Sequence, residues 1–195
     1  MMTLCTTLTQ VVGLMLLLSV CEGLAAEPKA WEKLTDCQYV SHAYNDRDSF
    51  HVKCGTDEFI VRLYFVDAPE ADTEDRQRSQ EQTEYLGVTL ENNIRAGVKA
   101  RDAVNELLRA APFVVWTRRA SASGRSKQPR YYGLVEVGGK GLAEILVSKG
   151  LARTKGVRAN LPSGEKSKEY EEKLRGLESS AKEKQVGIWE HSRVE

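Results

Sequence analysis

This 195-residue chain lacks net charge: 28 Lys and Arg offset 28 Asp and Glu, and the sequence pI is near 6.8. A polycation that coats nucleic acid by bulk attraction is therefore excluded, although a local basic patch is not. Glycine (15 residues) and proline (5) are too few for collagen-like or linker sequence. A hydrophobic content of 41% is too high for a disordered chain. Mean hydropathy of -0.43 excludes a multi-pass membrane protein. The three histidines, His42, His51 and His191, have no metal-like spacing. The apolar run over 11–20 (VVGLMLLLSV) falls well short of the roughly 20 residues a spanning helix needs.

That run is followed by Cys21-Glu22-Gly23-Leu24-Ala25-Ala26 and the polar Glu27-Pro28-Lys29. Residues 1–26 read as a signal peptide cleaved near Ala25 or Ala26, the small residues such a site prefers. A secreted or periplasmic protein with no stable membrane association after cleavage is the expectation. The first ten residues carry no Lys or Arg, so an uncleaved anchor is the rival reading. Attachment as a lipoprotein through Cys21 is disfavoured by the bulky Val20 before it. Cleavage leaves Cys37 and Cys54, an even pair in an oxidising compartment, and a disulfide between them is expected. Closing that loop would contribute about 3 kcal/mol in the chain-entropy model. Two buried free thiols are the alternative.

Residues 27–195 make one domain, long enough to bury a core without relying on disulfides. β-Branched and aromatic residues mark five strands over 37–44, 49–54, 59–66, 113–118 and 131–137. Helical spacing marks 93–110, 142–149 and 163–185, and 73–86 reads as a further, very polar helix. The order implies an α+β fold: a five-stranded β-barrel of the oligonucleotide/oligosaccharide-binding type with three or four packed helices.

The stretch from Arg62 to Glu70 (RLYFVDAPE) carries the chemistry. Side chains alternate along a strand, so Arg62 points away from the face of Val61, Leu63 and Phe65 and must find water or an anion. Pro69 takes the chain out of the ladder, which lets Asp67 and Glu70 collect at the strand end. Asp46-Arg47-Asp48 opens the second strand and can bring a further carboxylate there. Such carboxylates repel one another unless a cation or a basic group joins them. Oxygen donors without a His or Cys cluster favour a hard ion such as calcium.

Four pieces in order resemble the staphylococcal nuclease (thermonuclease) family: Asp46-x-Asp48-Ser49-Phe50, the Arg62 to Glu70 stretch, Gly150-Leu151-Ala152-Arg153, and Gly187-Ile188-Trp189. The resemblance implies that Asp48, Asp67 and the backbone carbonyl of Ala68 bind one calcium ion. It implies that Glu70 is the general base on the attacking water and that Arg62 is the first of two arginines on the phosphate. The implied function is an exported, calcium-dependent nuclease, acting as a monomer on DNA or RNA with little sequence preference and leaving 5′-hydroxyl and 3′-phosphate ends.

Three departures from the family pattern bear on that expectation. Tyr132, not arginine, precedes Gly133-Leu134, so the second clamp falls to Arg130, with Arg125 in the Ser123-Gly124-Arg125 turn as the alternative. Arg47 replaces a glycine between the aspartates and would be strained if that position needs positive φ. The family's base-stacking tyrosines fall near Gly156 and Arg158, and Tyr131, Tyr132 and Arg158 are the substitutes. A catalytically weak or inactive nucleic-acid-binding module of the same fold is the alternative. The neutral total is itself a cancellation: 67–91 holds eight acidic and two basic residues, whereas 95–130 holds nine basic and two acidic.

Overall fold

Five strands close into a barrel in the computed structural model, which describes residues 29–123 and 128–193. They are β1 (Glu32–Tyr39), β2 (Ser49–Cys54), β3 (Asp57–Leu63), β5 (Phe113–Ser121) and β6 (Arg130–Val137). Antiparallel neighbours run β3-β2-β1-β5-β6, and a parallel pairing of β3 with β6 closes the ring. Alternate residues of β3 (Phe59, Val61, Leu63) and of β5 (Phe113, Val115, Thr117) point inward and are buried, the period-2 pattern of strands covered on one face. Gly133 is small for a reason: a Cβ there would lie 3.2 Å from Val61 Cγ1 and 3.3 Å from the Trp116 carbonyl oxygen.

The first strand starts and ends five residues before its expected position. Asn45 causes the early exit: its amide donates to the Val40 carbonyl (2.8 Å) and its Oδ1 accepts from the His51 backbone N–H (2.9 Å), which folds residues 40–48 into a loop. Gln38 lies opposite Lys53 in the β1–β2 ladder, so Cys37 and Cys54 face each other, and they form the expected disulfide.

Four helices pack on the barrel: α1 (Arg76–Leu86), α2 (Leu90–Ala110), α3 (Leu142–Ser148) and α4 (Ser167–Glu183). The buried face of α2 is Asn93, Ala96, Gly97, Ala100, Val104 and Leu108, the three-and-four spacing of a helix with one covered side. Gly97 lets this helix lie directly on the chain that carries Glu70. A Cβ there would stand 2.2 Å from the Glu70 carbonyl oxygen.

Two short strands were not expected from composition. Phe65, in the left-handed region (φ 68°), turns the chain after β3 into β4 (Val66–Asp67), which pairs with β8 (Arg153–Thr154). Asp67 therefore lies opposite Arg153. The motifs at 150–153 and 187–189 also meet: the Ile188 N–H donates to the Gly150 carbonyl (2.9 Å), and Trp189 is buried with Leu86, Ala96 and Ala181. A two-residue strand, β7 (Lys140–Gly141), extends β6 as a hairpin, and the 3-10 helix Gly187–His191 ends the fold.

Candidate active site

An open cleft of about 670 Å³ lies at one end of β3 and β6. The loop before β2 contributes Asp46 and Arg47, β3 contributes Arg62, β6 contributes Arg130 and Tyr132, the segment after β4 contributes Glu70, and α1 contributes Arg78. The acidic and basic tracts of the sequence meet here, because Asp72, Glu74 and Asp75 line the same cleft as Arg101 and Arg130.

Asp48 is 1% exposed, and its Oδ2 lies 3.1 Å from Arg62 and 3.6 Å from Arg78. Burial pushes its carboxyl up to about 6, with Arg62 opposing. Burial also works on Asp67, but Arg78 and Arg153 outweigh it and hold that carboxyl below the usual range. Asp67 Oδ1 is bound by Arg78, and its Oδ2 accepts from Arg153 Nε (2.8 Å) and from the Gln82 amide (3.2 Å). Glu70 is buried, with Oε2 2.6 Å from Arg47 and Oε1 2.9 Å from Arg78. Burial raises its pKa, while Arg47 and Arg78 restrain the rise.

Gln82, 1% exposed, organises the segment that carries these groups. Its Nε2 donates to the Ala68 carbonyl (3.0 Å), and its Oε1 accepts from the Glu70 backbone N–H (2.8 Å) and from Asn93 (3.2 Å). Arg78 and Gln82 are one turn apart on α1 and reach the same segment, as i,i+4 neighbours do. The N-cap of this helix is Asp75, whose carboxylate accepts from the Arg78 N–H at 3.0 Å.

Asp48, Asp67, Glu70 and Arg62, singled out in the sequence, are thus brought together. Arg130 lines the same cleft, two positions along β6 from Tyr132, which sits opposite Arg62 in the register. Burial and the nearby Arg62 lower its pKa, and it donates to the Ser123 carbonyl (3.0 Å). Arg125 lies outside the described residues, as does the expected signal peptide. Tyr132 forms part of the cleft wall and stacks on Tyr64 with 5.0 Å between ring centroids.

Two expected nucleic-acid contacts are not among the cleft-lining residues. Strand alternation sends Tyr131 to the other face of β6, where it packs against Phe59, and Arg158 pairs with Glu171 at 2.7 Å. The strain feared at Arg47 does not arise, because its φ is not positive; its side chain is buried between Asp46 and Glu70. Arg78, Gln82 and the pairing of Arg153 with Asp67 were missed in the sequence. The Arg-x-x-x-Gln spacing of Arg78 and Gln82, eight and twelve residues after Glu70, was the available signal.

A closed barrel of the oligonucleotide/oligosaccharide-binding type with arginines and carboxylates gathered in one cleft defines a nuclease-like, nucleic-acid-binding class. The family model of the staphylococcal nuclease homologue matches residues 60–191, and the chain belongs to that family. No curated protein matches the chain.

Calcium is the ion of this family in general, and it takes about 6–8 oxygen ligands. The donor set here does not fit it as arranged. Both oxygens of Asp67 and both of Glu70 are engaged by arginines, Asp48 Oδ2 faces two more contacts from Arg62 and Arg78, and the Ala68 carbonyl is taken by Gln82. Five carboxylates (Asp46, Asp48, Asp67, Glu70, Glu81) already stand against four guanidinium groups (Arg47, Arg62, Arg78, Arg153) and the Lys155 ammonium.

Proposed function

We propose that this cleft binds the phosphodiester backbone of DNA or RNA and hydrolyses it. The observation that supports this best is the convergence of Arg62, Arg78 and Arg130 on a cleft beside Glu70, a buried carboxylate whose pKa is raised. In-line attack on a phosphodiester needs an oriented water, a proton acceptor beside it, and positive charge on the oxygens where negative charge builds. Glu70 takes the proton from water as the water oxygen bonds to phosphorus, the P–O5′ bond breaks, and the departing 5′-oxygen takes a proton from solvent to become the hydroxyl end. Arg62 and Arg130 hold the equatorial oxygens, and Tyr132 offers a ring face to a base or sugar. The products have 5′-hydroxyl and 3′-phosphate ends, as in the family this chain resembles. Residues 1–26 direct export, after which the domain over 27–195 acts as a monomer. The Cys37–Cys54 disulfide is compatible with that route, and among the described residues no helix is long and apolar enough to cross a membrane.

One observation favours a second reading, a binding module that has lost turnover. Glu70 is held at 2.6 Å by Arg47 and at 2.9 Å by Arg78, and a carboxylate so paired is a weaker base. Plasmid DNA and single-stranded RNA incubated with the protein, with and without calcium and followed by end-group analysis, separate the two. Hydrolysis predicts cleavage that falls roughly 10²–10⁴-fold in Glu70→Gln. Salt-sensitive binding with no cleavage under any divalent ion is the outcome for the binding module.

A further inference from the structure

Asp48, Asp67 and Glu70 converge on Arg78 beside this cleft, and such a group of carboxylates is stable only when positive charge joins it. We propose that the Arg78 guanidinium stands where a divalent cation would otherwise be needed, so that the cleft engages phosphate without binding a metal ion. The inference rests on the reading of the cleft as a phosphodiester site.

The geometry is that of a bridging cation. Arg78 Nε lies 2.9 Å from Glu70 Oε1, its Nη2 binds Asp67 Oδ1, and the same Nη2 lies 3.6 Å from Asp48 Oδ2. A planar guanidinium holds five N–H donors in a fixed fork, so one group can address carboxylates from three directions. The side chain lines the cleft and keeps part of its surface open to solvent, which leaves charge available to an incoming anion.

Helix α1 is built to deliver that group. Asp75 caps its first turn on the Arg78 N–H, fixing where the residue stands. One turn later the buried Gln82 amide occupies the Ala68 carbonyl, the backbone oxygen that a metal at this position would require. An ion therefore has two obstacles, a resident positive charge and a donated N–H, and both come from the same face of one helix. Placing a dication beside Arg62, Arg78 and Arg153 would add repulsion to a cluster whose charges already balance.

Asp48 shows what removal of Arg78 would expose. Among the described residues neither of its buried carboxylate oxygens has a hydrogen-bond partner, and its ion-pair contacts are with Arg62 and Arg78. Arg78→Ala would leave Asp48, Asp67 and Glu70 short of one positive charge around the vacated space.

The test is titration of the full chain with calcium chloride alone by calorimetry, and with terbium by luminescence. Wild type is expected to show no saturable site in the ~10⁻⁴–10⁻³ M range of extracellular calcium modules. Arg78→Ala is expected to gain one, at least tenfold tighter than any wild-type signal and lost again in Arg78→Ala/Asp67→Asn. Arg78→Lys retains a point charge and is expected to stay silent, which provides a readout if the alanine variant fails to fold. A second measurement needs no variant: wild-type affinity for a labelled oligonucleotide should be unchanged by EGTA. Saturable calcium binding by wild type in that range, a folded Arg78→Ala that binds no better than wild type, or oligonucleotide binding abolished by EGTA overturns the proposal. Failure of the functional reading looks different: wild type then ignores the oligonucleotide while the cation titrations keep the predicted pattern.

Discussion

Asp67 and Arg153 face each other across the short β4–β8 pairing, with Arg153 Nη2 2.7 Å and Nε 2.8 Å from the same carboxylate oxygen. Two chain segments far apart in sequence are thus joined next to Arg78, which binds Asp67 and lines the cleft. Arg153 is 3% exposed and also binds Glu81 through Nη1 at 2.9 Å. Removing one partner of a buried pair leaves an uncompensated charge. Arg153→Ala should therefore lose roughly 3–5 kcal/mol of stability, read as a shift in the urea midpoint at pH 7. Unchanged stability would mean that the pair is not held in this geometry.

Gly97 sets a steric limit beside Glu70. In an unobstructed helix, Gly→Ala stabilises by roughly 0.5–1 kcal/mol. Gly176 on α4 has no atom within 4 Å of a built Cβ, so Gly176→Ala should raise Tm. Gly97→Ala places its methyl 2.2 Å from the Glu70 carbonyl oxygen and should destabilise by roughly 1–3 kcal/mol while displacing Glu70. Thermal melts of the two variants should move in opposite directions, and cleavage should fall in Gly97→Ala alone.

Burial pushes the folded pKa of Asp48 up to about 6 from the ordinary 3.8. An acid raised on folding contributes stability that is complete below its unfolded pKa and is lost as pH rises through the folded value. Asp48→Asn has no such proton to lose. The stability of wild type relative to this variant should fall between about pH 4 and 6, by at most about 1.4 kcal/mol per pH unit for one proton. Urea midpoints for both proteins across that range measure the difference.

Arg47 restrains the rise that burial imposes on the Glu70 pKa. Without it, Glu70 keeps its proton to higher pH. If Glu70 is the base, the acid limb of the kcat/KM profile should move to higher pH in Arg47→Ala, and a limb that stays in place would separate Glu70 from the proton transfer.

The Cys37–Cys54 disulfide closes a loop of sequence separation 17 between facing residues of β1 and β2. Its reduction should cost about 3 kcal/mol, seen as a lower Tm with dithiothreitol in wild type and no effect of reductant on Cys37→Ser/Cys54→Ser.

The strands were legible because alternation of large apolar residues survives in Phe59-x-Val61-x-Leu63 and Phe113-x-Val115, where one face is buried. Asp67 and Glu70 were legible because they flank Pro69, which cannot continue a strand ladder, and Arg62 because strand alternation sets it opposite the apolar face of Val61 and Leu63. Helix α1 gave only a weak signal: it buries Ser79, Gln82 and Leu86, so its covered face is largely polar and no apolar stripe reveals what it touches. Arg153 was visible inside its motif, but its partner depends on a two-residue strand pairing that no local propensity encodes. The exit of β1 was displaced because one side chain, Asn45, replaces ladder bonds with its own.

The most direct test of the account is cleavage of an end-labelled single-stranded oligonucleotide by purified protein and by Glu70→Gln at matched concentration. Hydrolysis at the cleft predicts fragments with 3′-phosphate ends from wild type, reduced roughly 10²–10⁴-fold in the variant. Intact oligonucleotide with wild type, or equal cleavage by both proteins, would contradict it.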